Sequence, residues 1–287
     1  MALRRIVELG GVGVAVAVDD ALARRIRSSA LWGGAKDRPA PPPITAARTP
    51  AGGSLRERVA RLTWYHSIPL PGGVVTPGDF DHRPYLEHYP IPARLDGMRV
   101  LDVATFDGYW AFEFERRGAA EVVALDIGRY GDADIQPSLR DRTDPAILAH
   151  ATGAGFALAK EALGSQVRRE VLNVYDLSPE RLGRFDFVFC GDLLLHLMNP
   201  VKALERIRSV VRGEALLVDC YSPHLPGKVA EYRGEANRSV WWSVSRDCLR
   251  QMILDAGFSR VDLLHTFRFG HRGEKPWMWH AAFKARP

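Results

Sequence analysis

The stretch from Arg99 to Ile127 constrains the fold most. Arg99–Ala104 is a short apolar run, Tyr109–Arg117 carries a helical pattern, and Glu121–Ile127 (EVVALDI) is a second apolar run whose end is acidic. Strand, turn, helix, strand is one βαβ unit. The alternation continues downstream. Helical patterns over 144–163, 200–211 and 246–256 are interleaved with apolar runs at 167–172, 185–190 (FDFVFC) and 215–220, and runs at 260–267 and 277–284 finish the chain. Gly257 ends the last helix, as a C-cap requires. The pattern predicts an α/β domain with a doubly wound, mostly parallel seven-stranded sheet: five parallel strands plus a terminal hairpin, with helices on both faces.

Upstream of this body the composition changes. Residues 1–61 hold eleven Lys/Arg against five Asp/Glu, a net +6, which leaves −1 for the rest of a chain whose total is +5. The basic character belongs to the N-terminus, and the catalytic body shows no basic footprint of the kind nucleic-acid binding requires. Residues 1–31 read as helix or strand, and 32–53, with Pro39, Pro41, Pro42, Pro43 and Pro50 among its residues, reads as a linker. We therefore divide the chain into a basic extension and linker (1–53), a segment covering the active site (54–95) and a catalytic domain (96–287). Cys190, Cys220 and Cys248 are widely spaced in apolar runs, against a disulfide framework or a CxxC metal site and in favour of a reducing cytoplasm. The apolar run 10–18 is closed by Asp19-Asp20 and is too short to span a bilayer, so no membrane partner is expected. The sequence leaves the oligomeric state open.

Ligands of such sheets lie across the strand ends at the switch point, here the turn Val103-Ala104-Thr105-Phe106-Asp107-Gly108. A dinucleotide site would need GxGxxG, and Ala104 and Phe106 stand where glycines are required, which disfavours NAD. Asp102 would repel a phosphate but suits an ammonium group. Asp126, eighteen residues after Gly108, is placed to accept hydrogen bonds from ribose hydroxyls.

The order VLDVATFDG, VVALDI, LNVYDL and FDFVFCGDLLLHLMNP resembles the class I S-adenosylmethionine-dependent methyltransferases, which are Rossmann-like, over residues 96–285. The resemblance implies S-adenosyl-L-methionine as cofactor. It places Asp102, Ala104, Thr105, Phe106 and Gly108 around the methionine part, Asp126 and Ile127 at the ribose, Asn173 and Val174 at the adenine edge, and Cys190-Gly191 under the sulfonium. Ala104 replaces a glycine common in the family. A narrower resemblance, carried by TWYHSIPLPGGVVTPGDFDHRPYL and PIPARLDGMRVLDVATFDGYWAFEFERRGA, is to the group of tRNA wobble-uridine (5-oxyacetic acid) carboxymethyl-transferring enzymes. Those enzymes use a carboxylated cofactor, held by a tyrosine before the histidine of a YH pair and by an upstream basic residue. Here Leu195 precedes His196 and residues 64–80 contain neither Lys nor Arg, so ordinary S-adenosylmethionine is expected.

Around the methyl group, Asp192 and His196 are four apart and would share one side of a helical turn. Some sugar and quinol methyltransferases bind Mg²⁺ here, but the third ligand would fall on Leu195, and no metal is assigned. His196 is a candidate general base; the alternative is a histidine satisfied by backbone ahead of Asn199-Pro200. His66, between Tyr65 and Ser67 in the covering segment, ranks slightly ahead as base, with a core aromatic cluster as its alternative. Trp64, Tyr65, Trp241 and Trp242 are candidate walls of the acceptor site, against simple packing for the last pair. Residues 129–142 read as solvated loop. The leading function is methylation of a small-molecule hydroxyl, of a sugar or secondary metabolite; tRNA methylation and a non-catalytic cofactor-binding scaffold are the alternatives.

Overall fold

The computed structural model describes residues 52–234 and 240–287, together with the backbone of two N-terminal strands, β1 (Arg5–Leu9) and β2 (Val12–Val16), which pair antiparallel. Most of the linker expected over 32–53 lies outside the described residues. The covering segment contains helix α1 (Leu55–Ala60) and a small ribbon, β3 (Pro69–Leu70) and β4 (Val74–Val75). Ser54 and Glu57 close a reciprocal capping box at the start of α1.

The main sheet follows: β5 (Arg99–Val103), α2 (Tyr109–Arg116), β6 (Glu121–Asp126), the short helices α3 (Pro137–Arg140) and α4 (Pro145–Leu148), α5 (Ala154–Leu163) and β7 (Arg168–Val171). Then come α6 (Pro179–Leu182), β8 (Phe185–Gly191), α7 (Pro200–Val210), β9 (Val211–Cys220), an inserted ribbon of β10 (Ala230–Tyr232) and β11 (Trp242–Val244), α8 (Arg246–Asp255), β12 (Arg260–Phe269) and β13 (Met278–Arg286). The strand order is β12-β13-β9-β8-β5-β6-β7. The pairs from β9 to β7 are parallel and the two involving β13 antiparallel, as the sequence pattern predicts.

Alternating side chains feed two cores. Leu101, Val123 and Leu217 pack on one face with Leu204 and Ile207 of α7 and Ile253 of α8. Their neighbours Val100, Val122 and Leu216 pack on the other face with Trp110 and Phe114 of α2, Leu158 of α5 and Trp64, Ile68 and Tyr89 of the covering segment. Burial of both faces explains why β5, β6 and β8 read as continuous apolar runs. Edge strand β7 carries Arg168, Arg169 and Glu170 instead, a charged margin that discourages further pairing.

Two expectations need correction. Residues 144–163 do not form one helix: Thr152 N–H bonds to Gly128 O and Gly153 takes φ 92, so the chain breaks between α4 and α5. Residues 129–142 are not a solvated loop. Gln136 is buried, Arg140 donates to Gly131 O and Ala133 O, and Trp241 Nε1 donates to Asp134 O at 2.7 Å, making the loop a wall between β6 and the β10–β11 ribbon.

Candidate functional site

The parallel strands reverse order between β5 and β8, and the turn after β5 opens there. Its backbone is left-handed at Ala104 (φ 62), Phe106 (φ 48) and Gly108 (φ 92). Glycine is needed at 108, where a Cβ would lie 2.6 Å from the Phe112 ring and 2.7 Å from that of Phe156. Ala104 and Phe106 hold the same conformation at about 1–2 kcal/mol each. Hydrogen bonds enforce it: Thr105 N–H to Leu125 O at 3.0 Å, Phe106 N–H to Asp126 Oδ2 at 2.6 Å and Gly108 N–H to Thr105 O at 2.8 Å.

Asp126 also accepts from Ile127 N–H at 2.7 Å, and burial raises its carboxyl despite these bonds and the nearby Arg169. Beneath the turn, Asp102 is almost wholly buried and burial pushes it up to about 7, with Asp126 adding to the rise. Asp102 Oδ2 and Thr105 Oγ1 are buried; Thr105 lies near enough to Asp102 to lower its carboxyl, but neither atom makes a hydrogen bond of good geometry. Buried polar atoms without partners cost stability unless a ligand satisfies them. Beside them a cleft lined by Ala104, Asp126, Ile127, Leu172, Val174, Leu193 and His196 among others has the largely apolar lining, with a few polar groups, of a small-molecule site. An orphaned carboxylate oxygen for an ammonium, a ribose-facing carboxylate and an apolar slot for a base fit S-adenosylmethionine.

A second constellation lies at the adjoining strand ends. Asp192, just beyond β8, takes φ 50, and its N–H extends the pairing of β8 with β9 by bonding Val218 O. Its Oδ1 lies 2.9 Å from His280 Nε2 and receives the Cys220 thiol at 3.5 Å; Cys220 Sγ is 3.2 Å from His280 Nε2. His280 Nδ1 faces Met278 O at 3.2 Å, so each ring nitrogen lies within hydrogen-bonding distance of an oxygen. Burial opposes charge on the ring, but the Asp192 carboxylate outweighs it and raises the imidazole above its ordinary value. Asp192 is correspondingly held low by His280, against its own burial. Asp219, accepting from the backbone of Leu194 and Cys220, is pushed up to about 7 by burial and by Asp192.

The covering segment roofs this cluster. Asp107 Oδ2 accepts from Tyr65 N–H at 2.6 Å and His66 N–H at 3.0 Å, tying the roof to the cofactor turn. Gly155 permits this, since a Cβ there would lie 2.5 Å from Asp107 Oδ1. The Tyr65 ring sits 4.8 Å from Phe106, and burial together with the charge of Asp192 keeps its hydroxyl protonated, so Tyr65 links turn and cluster.

The residues singled out from sequence separate accordingly. Ala104, Asp126, Ile127, Asn173, Val174 and His196 gather at the cleft. The side chain of Asn173 is engaged locally, accepting from Tyr175 N–H and donating to Asp132 O, and the Cys190 thiol is buried in the core with only its backbone at the site. Asp192 and His196 do not share a face. A left-handed residue followed by a short 3-10 turn (Leu194–His196) replaces the expected helix, sending one to His280 and the other to the cleft. His66 lies in the aromatic alternative: its ring packs on Tyr65, His82 and Tyr109, Nδ1 has no partner, and burial holds it well below its ordinary value. Trp64 Nε1 donates to Val59 O, Trp241 Nε1 to Asp134 O and Trp242 Nε1 to Met198 O, so all three indoles are fastened to backbone. Cys220, His280 and Asp219 were missed. Each sits at the inner end of an apolar strand, and only the buried polar residue breaking such a run could have drawn notice.

Residues 83–263 match the methyltransferase domain family. The chain is 28% identical over 176 residues to the tRNA U34 carboxymethyltransferase of Methylococcus capsulatus, covering 60% of this chain and 48% of that protein. It is 32% identical over 111 residues to the magnesium-protoporphyrin O-methyltransferase of Rhodobacter capsulatus, 38% of each. The chain spans half or less of the length of the curated relatives it matches. Among solved structures, the N-terminal domain of EvdMO1 with SAH bound superposes with a TM-score of 0.53 at 19% identity, over 81% of this chain and 95% of that one, a likeness of fold. Motif order, fold and family match agree: the chain belongs to the methyltransferase domain family, in its class I, S-adenosylmethionine-dependent form.

Proposed function

We propose that the protein transfers a methyl group from S-adenosylmethionine to a hydroxyl of a small molecule, such as a sugar or secondary metabolite. The observation that carries this reading is the Asp192–His280 pair, His280 buried and Asp192 partly so, beneath Tyr65, which also packs on Phe106 of the cofactor turn. When bound, the cofactor supplies an electrophilic methyl on a cationic sulfonium. Asp102 holds the ammonium end, Asp126 the ribose, and Ile127, Leu172, Val174 and Leu193 the base. Much of the rate comes from fixing the acceptor oxygen in line, worth several kcal/mol through proximity alone. Asp192, steadied by His280, orients the acceptor hydroxyl and draws off its proton.

The similarity to tRNA U34 carboxymethyltransferases supports a second reading, methylation of tRNA. Against a carboxylated donor, the cleft lining contains neither Lys nor Arg. A methyl-transfer assay with labelled S-adenosylmethionine, run on hydroxylated small molecules and on bulk tRNA across a salt series, separates the two. Transfer to tRNA with affinity falling steeply with salt would replace the small-molecule reading. Transfer to small hydroxyl compounds, indifferent to salt, would support it.

A further inference from the structure

Three strands lying side by side each deliver a metal-capable atom to one point. Asp192 follows β8, Cys220 ends β9 and His280 lies on β13, directly paired across the sheet with Cys220. The three ligand atoms all fall within 4.8 Å of one another, with separations of 2.9 Å (O to N), 3.5 Å (O to S) and 3.2 Å (N to S). Zinc bonds of about 2.0–2.1 Å to oxygen and nitrogen and about 2.3 Å to sulfur, at tetrahedral angles, set ligand atoms roughly 3.3–3.6 Å apart. Each observed separation is within about 0.4 Å of that triangle.

The surroundings are those of a ligand shell. His280 Nδ1 is directed to Met278 O, which fixes the ring with Nε2 facing the other two atoms, the arrangement metal-bound histidines adopt. Asp219 accepts from the backbone N–H of Cys220 and of Leu194, locking the strand ends that carry Cys220 and Asp192. Asp192 is held in a left-handed conformation that costs energy and aims its carboxylate at the pair. His280 is fully buried, while the Asp192 side chain keeps 20% of its surface. The soft sulfur argues against Mg²⁺ or Ca²⁺ and for zinc or a similar transition ion.

We propose that Asp192, Cys220 and His280 bind one zinc ion whose open position faces the acceptor side. This deepens the methyl-transfer reading, on which its catalytic use rests: a cation here would hold the acceptor oxygen and favour its deprotonated form.

The test uses the full chain dialysed against zinc and then against metal-free buffer, with metal content read by mass spectrometry and a parallel sample loaded with cobalt. S-adenosylhomocysteine binding is measured on the same samples by calorimetry. About one zinc per chain and a thiolate-to-cobalt charge-transfer band are expected. In Cys220→Ser the band disappears, and in both Cys220→Ser and Asp192→Asn zinc affinity falls by more than about tenfold, with melting curves confirming that the variants fold. A chain that binds S-adenosylhomocysteine yet retains less than about a tenth of an equivalent of zinc overturns the proposal, as does zinc held equally well by both folded variants. Metal retained without S-adenosylhomocysteine binding would instead overturn the methyl-transfer reading and leave the metal site standing.

Discussion

The cofactor cleft and the cluster of Asp192, Cys220 and His280 sit at the same end of one sheet but are assembled by different rules. The cleft draws its polar chemistry from short contiguous stretches, Asp102–Gly108 and Asp126–Ile127, each a strand end with its following turn. The cluster draws Tyr65, Asp192, Cys220 and His280 from four distant places that only the strand order brings together. One site is a property of local sequence and the other of topology. That independence means a lesion on one side should leave the other working.

The largest test is Asp192→Asn. Turnover should fall about 10²–10⁴-fold, the range for losing a positioned proton acceptor, while affinity for S-adenosylhomocysteine stays within about a factor of two. Equal losses in both would show that the two sides are one site. The converse is Asp126→Ala, which should weaken cofactor binding by ~1.5–3 kcal/mol when the ribose loses its charged acceptor. Calorimetry on the folded variant checks this, and unchanged affinity would remove Asp126 from the cofactor site.

A smaller effect separates the sides by pH. Burial pushes Asp102 up to about 7 in the free protein, and a bound ammonium requires the ionised carboxylate. Binding therefore releases a proton below that pH. Affinity should rise by up to about tenfold per unit as pH climbs toward 7 and then level off. Asp102→Asn should flatten the profile; a wild-type curve already flat would place the ammonium elsewhere. The smallest effect is expected from a chain beginning at Gly53, which should bind cofactor within about a factor of two of the full chain. A large loss would make the basic extension part of the site.

The difference also explains what could be read from the sequence. The sheet order, the switch point and the cofactor turn follow from apolar runs and the VLDVATFDG and VVALDI stretches, because strand periodicity and turn chemistry are local. Ala104 and Phe106, where glycines would be usual, still adopt left-handed backbone, so the turn keeps its shape by hydrogen bonding instead of by residue type. His280 was invisible for the opposite reason: nothing in MWHAAFKAR marks it, and its partner Asp192 is 88 residues away. The i,i+4 argument joining Asp192 to His196 failed because it assumed a helix where Asp192 turns left-handed. The strands of the β10–β11 ribbon are three residues each, too short for an alternating pattern to show in the sequence.

Asp107 has a consequence for how the acceptor comes and goes. One carboxylate oxygen holds the backbone of Tyr65 and His66; Asp107 and His66 are buried and Tyr65 partly so. Swinging the segment outward would strand a buried carboxyl and two amides, at about 1–3 kcal/mol for each group left without a partner. The roof is thus a fixed lintel, not a door. Traffic to the acceptor side has to pass where the walls are not fastened to the cofactor turn, and a tethered product analogue too wide for that gap should be excluded however well it matches the cluster.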